Sequence, residues 1–281
     1  MNYRHAFHAG NIADVVKHAV LARIVAHLKE KPAAFRVLDT HAGAGLYDLA
    51  GPEASRTGEW RDGIGKLTDA ELVPAERDLL APYLAAVTAF NAGPLKIYPG
   101  SPVLLQHWLR PQDRLIACER EPNAARALIA RLRGDKRAKA VAIDGYTALN
   151  AYVPPKERRG LVLIDPPFEQ PDEFEKLVQA LAGAHRKWPT GLYALWYPVK
   201  DDRETQGFAR RLARLSLPRT LQAELRLPAR EGLRGSGLVL INPPWRLESE
   251  LAVLLPALHR ALSGAPPAPG HTPIRWLTGE R

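Results

Sequence analysis

The chain has 281 residues, of which 46% are hydrophobic and 25% are charged, a composition ordinary for a globular protein in water. This length accommodates one large α/β domain, or one such domain with an insertion. Lys and Arg number 39 against 30 Asp and Glu, which gives a formal net charge of +9. That excess of positive charge favours a polyanionic partner such as nucleic acid.

The single cysteine, Cys118, excludes a disulfide framework and a zinc site built from cysteines. The first residues lack the apolar core of a signal peptide, and no apolar run reaches the roughly 18 residues that a membrane span needs. We therefore expect a protein of the reducing cytoplasm without a membrane partner.

The first periodic segment predicts an amphipathic helix with Asn11 as its N-cap and an end near Pro32. Histidines in and around this helix raise the question of a metal site. They are His5, His8, His18 and His41. Their spacing matches no zinc pattern, and no cysteines or acidic residues cluster with them, so no metal is predicted.

A short predicted strand, 36–40, runs into the turn His41-Ala42-Gly43-Ala44-Gly45. Two glycines directly after a strand let the backbone approach a cofactor closely. A nicotinamide-binding fingerprint would need a third glycine where Asp48 stands. S-adenosylmethionine enzymes use such a shortened turn after the first strand, although this turn alone is a weak signal.

Residues 50–95 interrupt the alternation of strands and helices and carry a mostly helical pattern. We predict that 50–95 form an inserted helical subdomain, while 1–49 and 96–281 form the methyltransferase-like α/β domain. After the insertion, Ser101 is predicted as an N-cap with Pro102 at the first helical position. The backbone amides at that helix start could point at a ligand, or the residues could form an ordinary helix cap.

Each of the next three predicted strands ends in a carboxylate. They are Glu119, Asp144 and Asp165, after strands at 115–118, 138–143 and 161–164. In open α/β sheets, ligands lie beyond the carboxyl ends of the strands. After a glycine turn, the carboxylate that follows the next strand, Glu119, can accept hydrogen bonds from ribose hydroxyls, and Asp144 after the strand beyond it can bind an adenine amino group. The series predicts a nucleoside-containing cofactor.

The third of these strands leads into Asp165-Pro166-Pro167-Phe168. The prolines lack N–H groups, so the loop presents carbonyl oxygens. A carboxylate, the Pro166 carbonyl and the Phe168 ring suit a planar base with an exocyclic amino group, because the oxygens accept its hydrogens and the ring stacks on its face. The motif is typical of enzymes that methylate amino nitrogens of nucleobases, although a plain strand with a Pro-Pro turn also produces it.

A second copy, Asn242-Pro243-Pro244-Trp245, follows the apolar strand 237–241, and asparagine is accepted in this motif. Topology distinguishes the copies. We predict that the strand before Asp165 crosses over to lie beside the first strand, where cofactor and substrate meet. Strand 237–241 is predicted to be antiparallel to the others, which places Asn242 at the opposite edge. Asp165 is therefore the predicted catalytic residue.

The remaining pattern continues the α/β alternation. The predicted segments are helices 173–188, 203–215 and 248–262, and strands 191–196, 220–227 and 274–277. Basic residues that could contact RNA, or simply face solvent, are Arg56, Arg61, Lys66, Arg230 and Arg234.

Several separate segments together resemble one family, the bacterial 23S ribosomal RNA adenine-N6-methyltransferase J family. They are 3–11 with Asp14, Lys17 and His18, then 38–45, 98–102, 163–167, 193–198 and 242–245. The similarity spans nearly the whole chain. It implies a Rossmann-like class I methyltransferase fold, S-adenosylmethionine as cofactor, a monomer, and N6-methylation of adenine 2030 in 23S ribosomal RNA.

The resemblance also implies roles for individual residues. Contacts with the cofactor are implied for His18, His41, Ser101, Glu119, Asp144 and Gly145. Asp165 would be catalytic, and Tyr3 would contact the RNA, with Pro166 and Phe168 binding the base. Phe168 stands where tyrosine is common, and loss of the hydroxyl should leave stacking intact.

Three other functions fit this sequence less well. A DNA adenine or cytosine amino-methyltransferase would share the active-site motif, although 50–95 resemble no DNA-recognition module. A catalytically silent RNA-binding protein would have no use for Glu119 as a ribose ligand. A nicotinamide-dependent dehydrogenase disagrees with the missing third glycine and with the Pro-Pro loop.

Overall fold

The computed structural model describes residues 5–228 and 233–279. Tyr3, for which the resemblance implies a contact with RNA, and Arg230, which could contact RNA or face solvent, lie outside these described residues.

In the described part of the chain, one eight-stranded sheet forms the centre of the fold and a two-stranded sheet lies apart from it. The strands are β1 (Arg36–Asp39), β2 (Leu46–Asp48), β3 (Ile97–Pro99), β4 (Arg114–Glu119), β5 (Ala138–Ala142), β6 (Gly160–Ile164), β7 (Leu192–Val199), β8 (Thr220–Arg226), β9 (Gly235–Ile241) and β10 (Ile274–Thr278). The large sheet has the order β10-β8-β9-β7-β6-β1-β4-β5, and the small one pairs β2 with β3.

Helices cover both faces of the large sheet. They are α1 (Ile12–Glu30), α2 (Pro52–Thr57), α3 (Lys66–Thr68), α4 (Pro74–Thr88), α5 (Ser101–Trp108), α6 (Pro122–Leu132), α7 (Gly145–Tyr152), α8 (Glu173–Lys187), α9 (Asp202–Arg214) and α10 (Leu247–Ser263). One hydrophobic cluster packs α1, α4, α5 and α10 against one face. A second cluster packs α7, α8 and α9 against the other. This is a doubly wound α/β arrangement.

The strand before Asp165 lies beside the first strand, as predicted. β6 pairs with β1 in parallel, so that Asp39 stands opposite Leu163. β1 also pairs with β4, and β4 with β5, both in parallel. The carboxyl ends of these strands therefore meet at one edge of the sheet, with Glu119 and Asp165 at that edge. The predicted Rossmann-like topology is confirmed.

The strand before Asn242 is antiparallel to its neighbours, also as predicted. β9 lies between β7 and β8 and runs opposite to both. Asn242 follows it at the other edge, where its side-chain amide donates to the carbonyls of Pro189 and Gly191, each at 2.8 Å. The second copy of the motif is thus far from the carboxyl ends of β1, β4 and β6.

The two predicted helix starts have different outcomes. Asn11 caps α1, because its Oδ1 accepts from the Asp14 amide at 3.0 Å. The prediction of Ser101 as an N-cap is wrong: α5 begins at Ser101, and Gly100 is its N-cap with extended backbone. The Ser101 hydroxyl does not cap the helix, because it donates to Asp39 Oδ2 at 2.7 Å.

Residues 50–95 contain α2, α3 and α4 and one π-helical turn, Arg61–Gly65. Buried side chains of this segment, including Ile64, Leu80 and Tyr83, join the same hydrophobic cluster as α1. The antiparallel pair β2–β3 brings the two ends of the segment together. The division into an α/β domain and an inserted subdomain stays a prediction.

Cys118 lies in the buried centre of the sheet, within β4. Burial raises the pKa of its thiol to about 12, so the group is protonated. Across residues 5–228 and 233–279, no helix is long and apolar enough to cross a membrane. The same residues contain no group of three His, Cys, Asp or Glu side chains able to hold a metal ion.

Candidate active site

The turn after β1 contacts the carboxylate of Glu119, the last residue of β4. Gly43 and Gly45 have positive φ angles of 64° and 88°, a conformation that favours glycine. The Gly43 amide donates to Glu119 Oε2 at 2.8 Å, and Glu119 Oε1 accepts from the Glu121 amide at 2.7 Å. Because each carboxylate oxygen can accept a second hydrogen bond, Glu119 can still bind a hydroxyl.

Asp144 begins the helix after β5. Its Oδ1 accepts from the amides of Tyr146 and Thr147 at 3.1 and 3.0 Å, while its Oδ2 lies 3.8 Å from Arg120. Burial raises the pKa of this carboxyl, but the hydrogen bonds from Thr147 and the charge of nearby groups outweigh it and hold the pKa below its ordinary value. Asp144 is therefore ionised, and Oδ2 has capacity for an amino group.

Gly145 leaves the space that His41 occupies. A Cβ at position 145 would lie 2.4 Å from the Thr40 carbonyl oxygen and 2.6 Å from the His41 ring. The His41 ring also contacts Tyr146 edge-on, at 5.4 Å between centroids, and its Nδ1 lies 2.8 Å from Thr40 Oγ1. Burial lowers the pKa of His41 to about 4, so the imidazole is neutral.

Asp39 ends β1 as a fully buried carboxyl next to the glycine turn. Its Oδ2 accepts from Ser101, while its Oδ1 has no hydrogen-bond partner among the described residues. Burial raises the pKa of this carboxyl to about 7, the Ser101 hydrogen bond opposes the rise, and the charge of Asp165 adds to it. An unpartnered buried oxygen at this position fits a ligand that carries a donor or a positive charge.

Asp165 belongs to a buried charged network. Lys17 on α1 bonds to Asp165 Oδ2 and also to Asp14 Oδ1, the latter at 2.8 Å. Asp14 Oδ2 in turn accepts from the Gly10 amide at 2.9 Å and lies 3.0 Å from His5 Nε2. The side chains of Lys17 and Asp14 are only 5% and 1% exposed, against 12% for Asp165. Asp165 is therefore the most exposed of these three charged side chains.

The charges of this network are stable near neutral pH. Burial lowers the pKa of Lys17, but the carboxylates of Asp14 and Asp165 outweigh it and raise the pKa well above its ordinary value. Burial likewise raises the pKa of Asp14, and the charges of His5 and Lys17 outweigh it, so this pKa lies well below its usual range. Lys17 is therefore a cation that holds one oxygen of the Asp165 carboxylate.

Aromatic side chains surround the exposed end of this network. The Phe168 ring contacts Phe174 and Trp196, with centroids 4.9 and 5.6 Å apart. Trp196 lies on β7, the neighbour of β6, and its ring is 5.9 Å from Lys17 Nζ. Phe168 and Trp196 thus place flat apolar surfaces beside Asp165.

His18 lies deeper than the other residues predicted to contact the cofactor. Its ring is fully buried, and its Nδ1 lies 2.7 Å from the Tyr98 hydroxyl. Burial lowers the pKa of His18 to about 3, and its Nε2 has no hydrogen-bond partner among the described residues. A contact between His18 and the cofactor stays a prediction, with Nε2 as the available atom.

Sequence reasoning missed three residues of this site: Lys17, Asp39 and Trp196. Lys17 stands three residues after Asp14, a helical spacing that predicts their mutual contact but not the bond to Asp165. Asp39 stands at the end of the first strand, just as the predicted carboxylates stand at the ends of later strands. This shared position could have identified Asp39 as a site residue. Trp196 lies in the segment 193–198 that carries the family resemblance, but its position in an apolar strand did not indicate a role in the site.

The fold and this arrangement of groups define a Rossmann-like class I methyltransferase that uses S-adenosylmethionine. The chain belongs to the RlmJ family, because the family model described as "Ribosomal RNA large subunit methyltransferase D, RlmJ" matches residues 32–278. It is therefore an S-adenosylmethionine-dependent methyltransferase of ribosomal RNA.

Individual relatives agree with this assignment. The chain is 42% identical to ribosomal RNA large subunit methyltransferase J of Escherichia coli K12 and 38% identical to that of Haemophilus influenzae, with both chains covered in full in each comparison. A crystal structure of a Legionella pneumophila protein superposes with a TM-score of 0.85 at 36% identity, covering 95% of this chain and 97% of that one.

Proposed function

We propose that the protein methylates the N6 amino group of an adenine in 23S ribosomal RNA, the adenine at position 2030 by family resemblance. The observation that carries this proposal is the position of Asp165. Its carboxylate lies at the carboxyl end of β6, beside the glycine turn after β1, and Lys17 holds one of its oxygens. The Pro166 carbonyl follows directly.

The residues around the glycine turn fit S-adenosylmethionine. Glu119 has acceptor capacity for ribose hydroxyls, Asp144 Oδ2 for the adenine amino group, and Asp39 Oδ1 for a cationic or donor group. We propose that the cofactor contacts are His18, His41, Ser101, Glu119, Asp144 and Gly145, with Asp39 added. When bound, S-adenosylmethionine supplies an electrophilic methyl group on a positively charged sulfur.

Asp165 and Pro166 activate the adenine amino group in this proposal. The lone pair of that nitrogen is delocalised into the purine ring, which makes it a poor nucleophile. Hydrogen bonds from its two N–H groups to the Asp165 carboxylate and the Pro166 carbonyl favour a tetrahedral nitrogen and free the lone pair. After methyl transfer the nitrogen is strongly acidic, and the Asp165 carboxylate accepts its proton.

Lys17 and the aromatic residues position these groups. Lys17 bonds to Asp165 Oδ2 and leaves Oδ1 as the acceptor for the adenine. Phe168 and Trp196 provide surfaces on which a base extruded from its RNA helix or loop can stack. Much of the rate enhancement then comes from holding the reacting atoms about 3–3.5 Å apart and in line.

We also propose that the enzyme is a monomer of the cytoplasm and that Tyr3 contacts the RNA.

The test is transfer of a labelled methyl group to naked 23S ribosomal RNA, to intact large subunits and to DNA, followed by nucleoside analysis. We expect the label in N6-methyladenosine from ribosomal RNA, with little in DNA. Label in a different nucleoside, or equal transfer to DNA, would contradict the proposed specificity.

A further inference from the structure

Strand β7 extends past the site that holds Asp165. Ile164, the last residue of β6, pairs with Leu195, and β7 continues for four more residues to Val199. Four residues of a strand span about 13 Å. β9 accompanies this extension, because Val199 pairs with Gly235 and the Arg234 amide donates to the Val199 carbonyl at 2.9 Å. We call residues 196–200 and 234–238 the overhang.

One face of the overhang is turned towards the catalytic network. Trp196 Nε1 donates to Ser236 Oγ at 2.9 Å, so these side chains share a face, and Lys17 lies over the Trp196 ring on that side. Side chains on a strand return to the same face every second residue. Pro198 and its partner Ser236 continue this face from Trp196, and Lys200 and Arg234 come next in the alternation, one residue beyond the ends of β7 and β9.

Two exposed cations lie just beyond the ends of these strands and form no salt bridge with a described residue. Lys200 and Arg234 are exposed, and neither forms a salt bridge within residues 5–228 and 233–279. Asp201 lies within electrostatic range of Arg234, but its Oδ1 accepts from the amides of Arg203 and Glu204, and Asp202 pairs with Arg226 at 2.6 Å. Because both side chains are exposed and neither is held in a salt bridge by a described residue, their charge is available to a ligand.

The N-terminal segment 5–10 lies within electrostatic range of the overhang. His8 Nδ1 is 3.0 Å from a Glu59 oxygen. This hydrogen bond raises the pKa of His8, while burial and the positive charge of Lys200 oppose the rise, which places Lys200 within electrostatic range of His8. Lys200 thus lies near His8 of a segment that also contacts the catalytic network, because His5 Nε2 is 3.0 Å from Asp14 Oδ2.

We propose that the catalytic-side face of the overhang binds the phosphates of the RNA strand next to the target nucleotide, through Lys200 and Arg234. This inference rests on the proposed function, since it takes ribosomal RNA as the ligand and Asp165 as the position of the extruded base. Lys and Arg at such a distance from a flipped base contact the backbone rather than the base edges, so they contribute affinity and orientation but no sequence selectivity.

The test compares two double variants of the full-length protein. Lys200→Gln/Arg234→Gln removes the two cations of the overhang. Lys136→Gln/Lys156→Gln is the matched control, because both lysines are exposed and precede β5 and β6 at the opposite edge of the sheet. Binding of a 23S ribosomal RNA transcript is measured without methyl donor at about 50 to 200 mM salt.

We expect the overhang variant to bind the transcript about tenfold more weakly, and its slope of log affinity against log salt to fall by about 2, one for each phosphate contact. The control should stay within about twofold of the wild type. In methyl transfer, the overhang variant should raise KM for RNA with kcat unchanged, and Lys200→Arg/Arg234→Lys should restore binding.

The inference is overturned if the overhang variant keeps wild-type affinity and salt slope, or if the control loses as much. Circular dichroism of each variant separates loss of contact from loss of fold. Failure of the wild type to methylate adenine would count against the proposed function alone, because the binding comparison uses no methyl donor.

Discussion

Two loops of this chain have nearly the same sequence and very different surroundings. Asp165-Pro166-Pro167-Phe168 follows β6 and meets Lys17, Trp196 and the glycine turn. Asn242-Pro243-Pro244-Trp245 follows β9 at the other edge of the sheet, where the Asn242 side chain donates to the backbone carbonyls of Pro189 and Gly191 before β7. Trp245 is 74% exposed and packs under Arg246 at 4.5 Å. The groups that surround the motif, and so its possible role, therefore depend on the strand that precedes it.

The direction of the strand decides which groups the loop meets. A parallel strand beside β1 brings its carboxyl end to the edge where the cofactor turn and the other carboxylates lie. An antiparallel strand delivers the similar loop to the opposite edge, where Asn242 meets the backbone carbonyls that precede β7. The following predictions test this difference, from the largest effect to the smallest.

Asp165→Ala should lower kcat for methyl transfer by about 100- to 10,000-fold, because the amino group loses its acceptor and the released proton loses its base. Binding of S-adenosylmethionine, measured by calorimetry, should change little. The matched variant Asn242→Ala should keep kcat within about twofold and lose about 1–2 kcal/mol of stability with its two hydrogen bonds. Equal activity of the two variants would contradict the assignment of the catalytic loop.

Lys17→Met should lower the free energy of unfolding by about 3–5 kcal/mol, because it leaves the buried Asp14 carboxylate without its cation. It should also lower methyl transfer, since Asp165 loses the group that positions it. Urea denaturation and single-turnover kinetics measure the two effects. The double variant Asp14→Asn/Lys17→Met should regain most of the stability but not the activity. Wild-type stability of Lys17→Met would refute the buried network.

Asp39→Asn should change how stability depends on pH. The pKa of Asp39 is raised from 3.8 to about 7 in the folded state, so the folded protein binds a proton more tightly than the unfolded chain. Stability from this group is present below about pH 4 and is lost as pH rises to about 7, by at most about 4 kcal/mol. Urea midpoints at pH 5 and pH 8 should differ less in the variant. An unchanged difference would show that Asp39 is not protonated in the fold.

Gly145→Ala should weaken S-adenosylmethionine binding by about tenfold, because the new Cβ would lie 2.6 Å from the His41 ring and displace it. Gly93→Ala is the control, since a Cβ there meets nothing within 4 Å. Calorimetric titration of both variants measures the effect. Equal affinity in both would mean that the contact between Gly145 and His41 does not shape the cofactor site.

Much of this fold could be predicted because its signals are local. Asn11 marks the start of α1, and the run 161–164 is apolar enough to be a strand buried on both faces. The crossover that places β6 beside β1 follows from general rules of chain topology. The same rules predicted β9 as antiparallel and so separated the two Pro-Pro loops.

The parts that failed depend on contacts between distant residues. Lys17 and Asp165 are 148 positions apart, and no local pattern connects them. Ser101 has the composition of an N-cap, but the buried Asp39 carboxyl uses its hydroxyl. The strands β2 and β3 have three residues each, too few for an alternating pattern to be recognised.

The buried thiol of β4 provides a natural reporter of motion at this site. Cys118 directly precedes Glu119 and is the single cysteine of the chain, so an alkylating reagent has one target, and it reacts only when the sheet opens locally. The rate of labelling therefore measures how often the sheet opens locally around β4, without any engineered probe. A bound nucleoside ligand that engages Glu119 should slow that rate in proportion to the stability it adds.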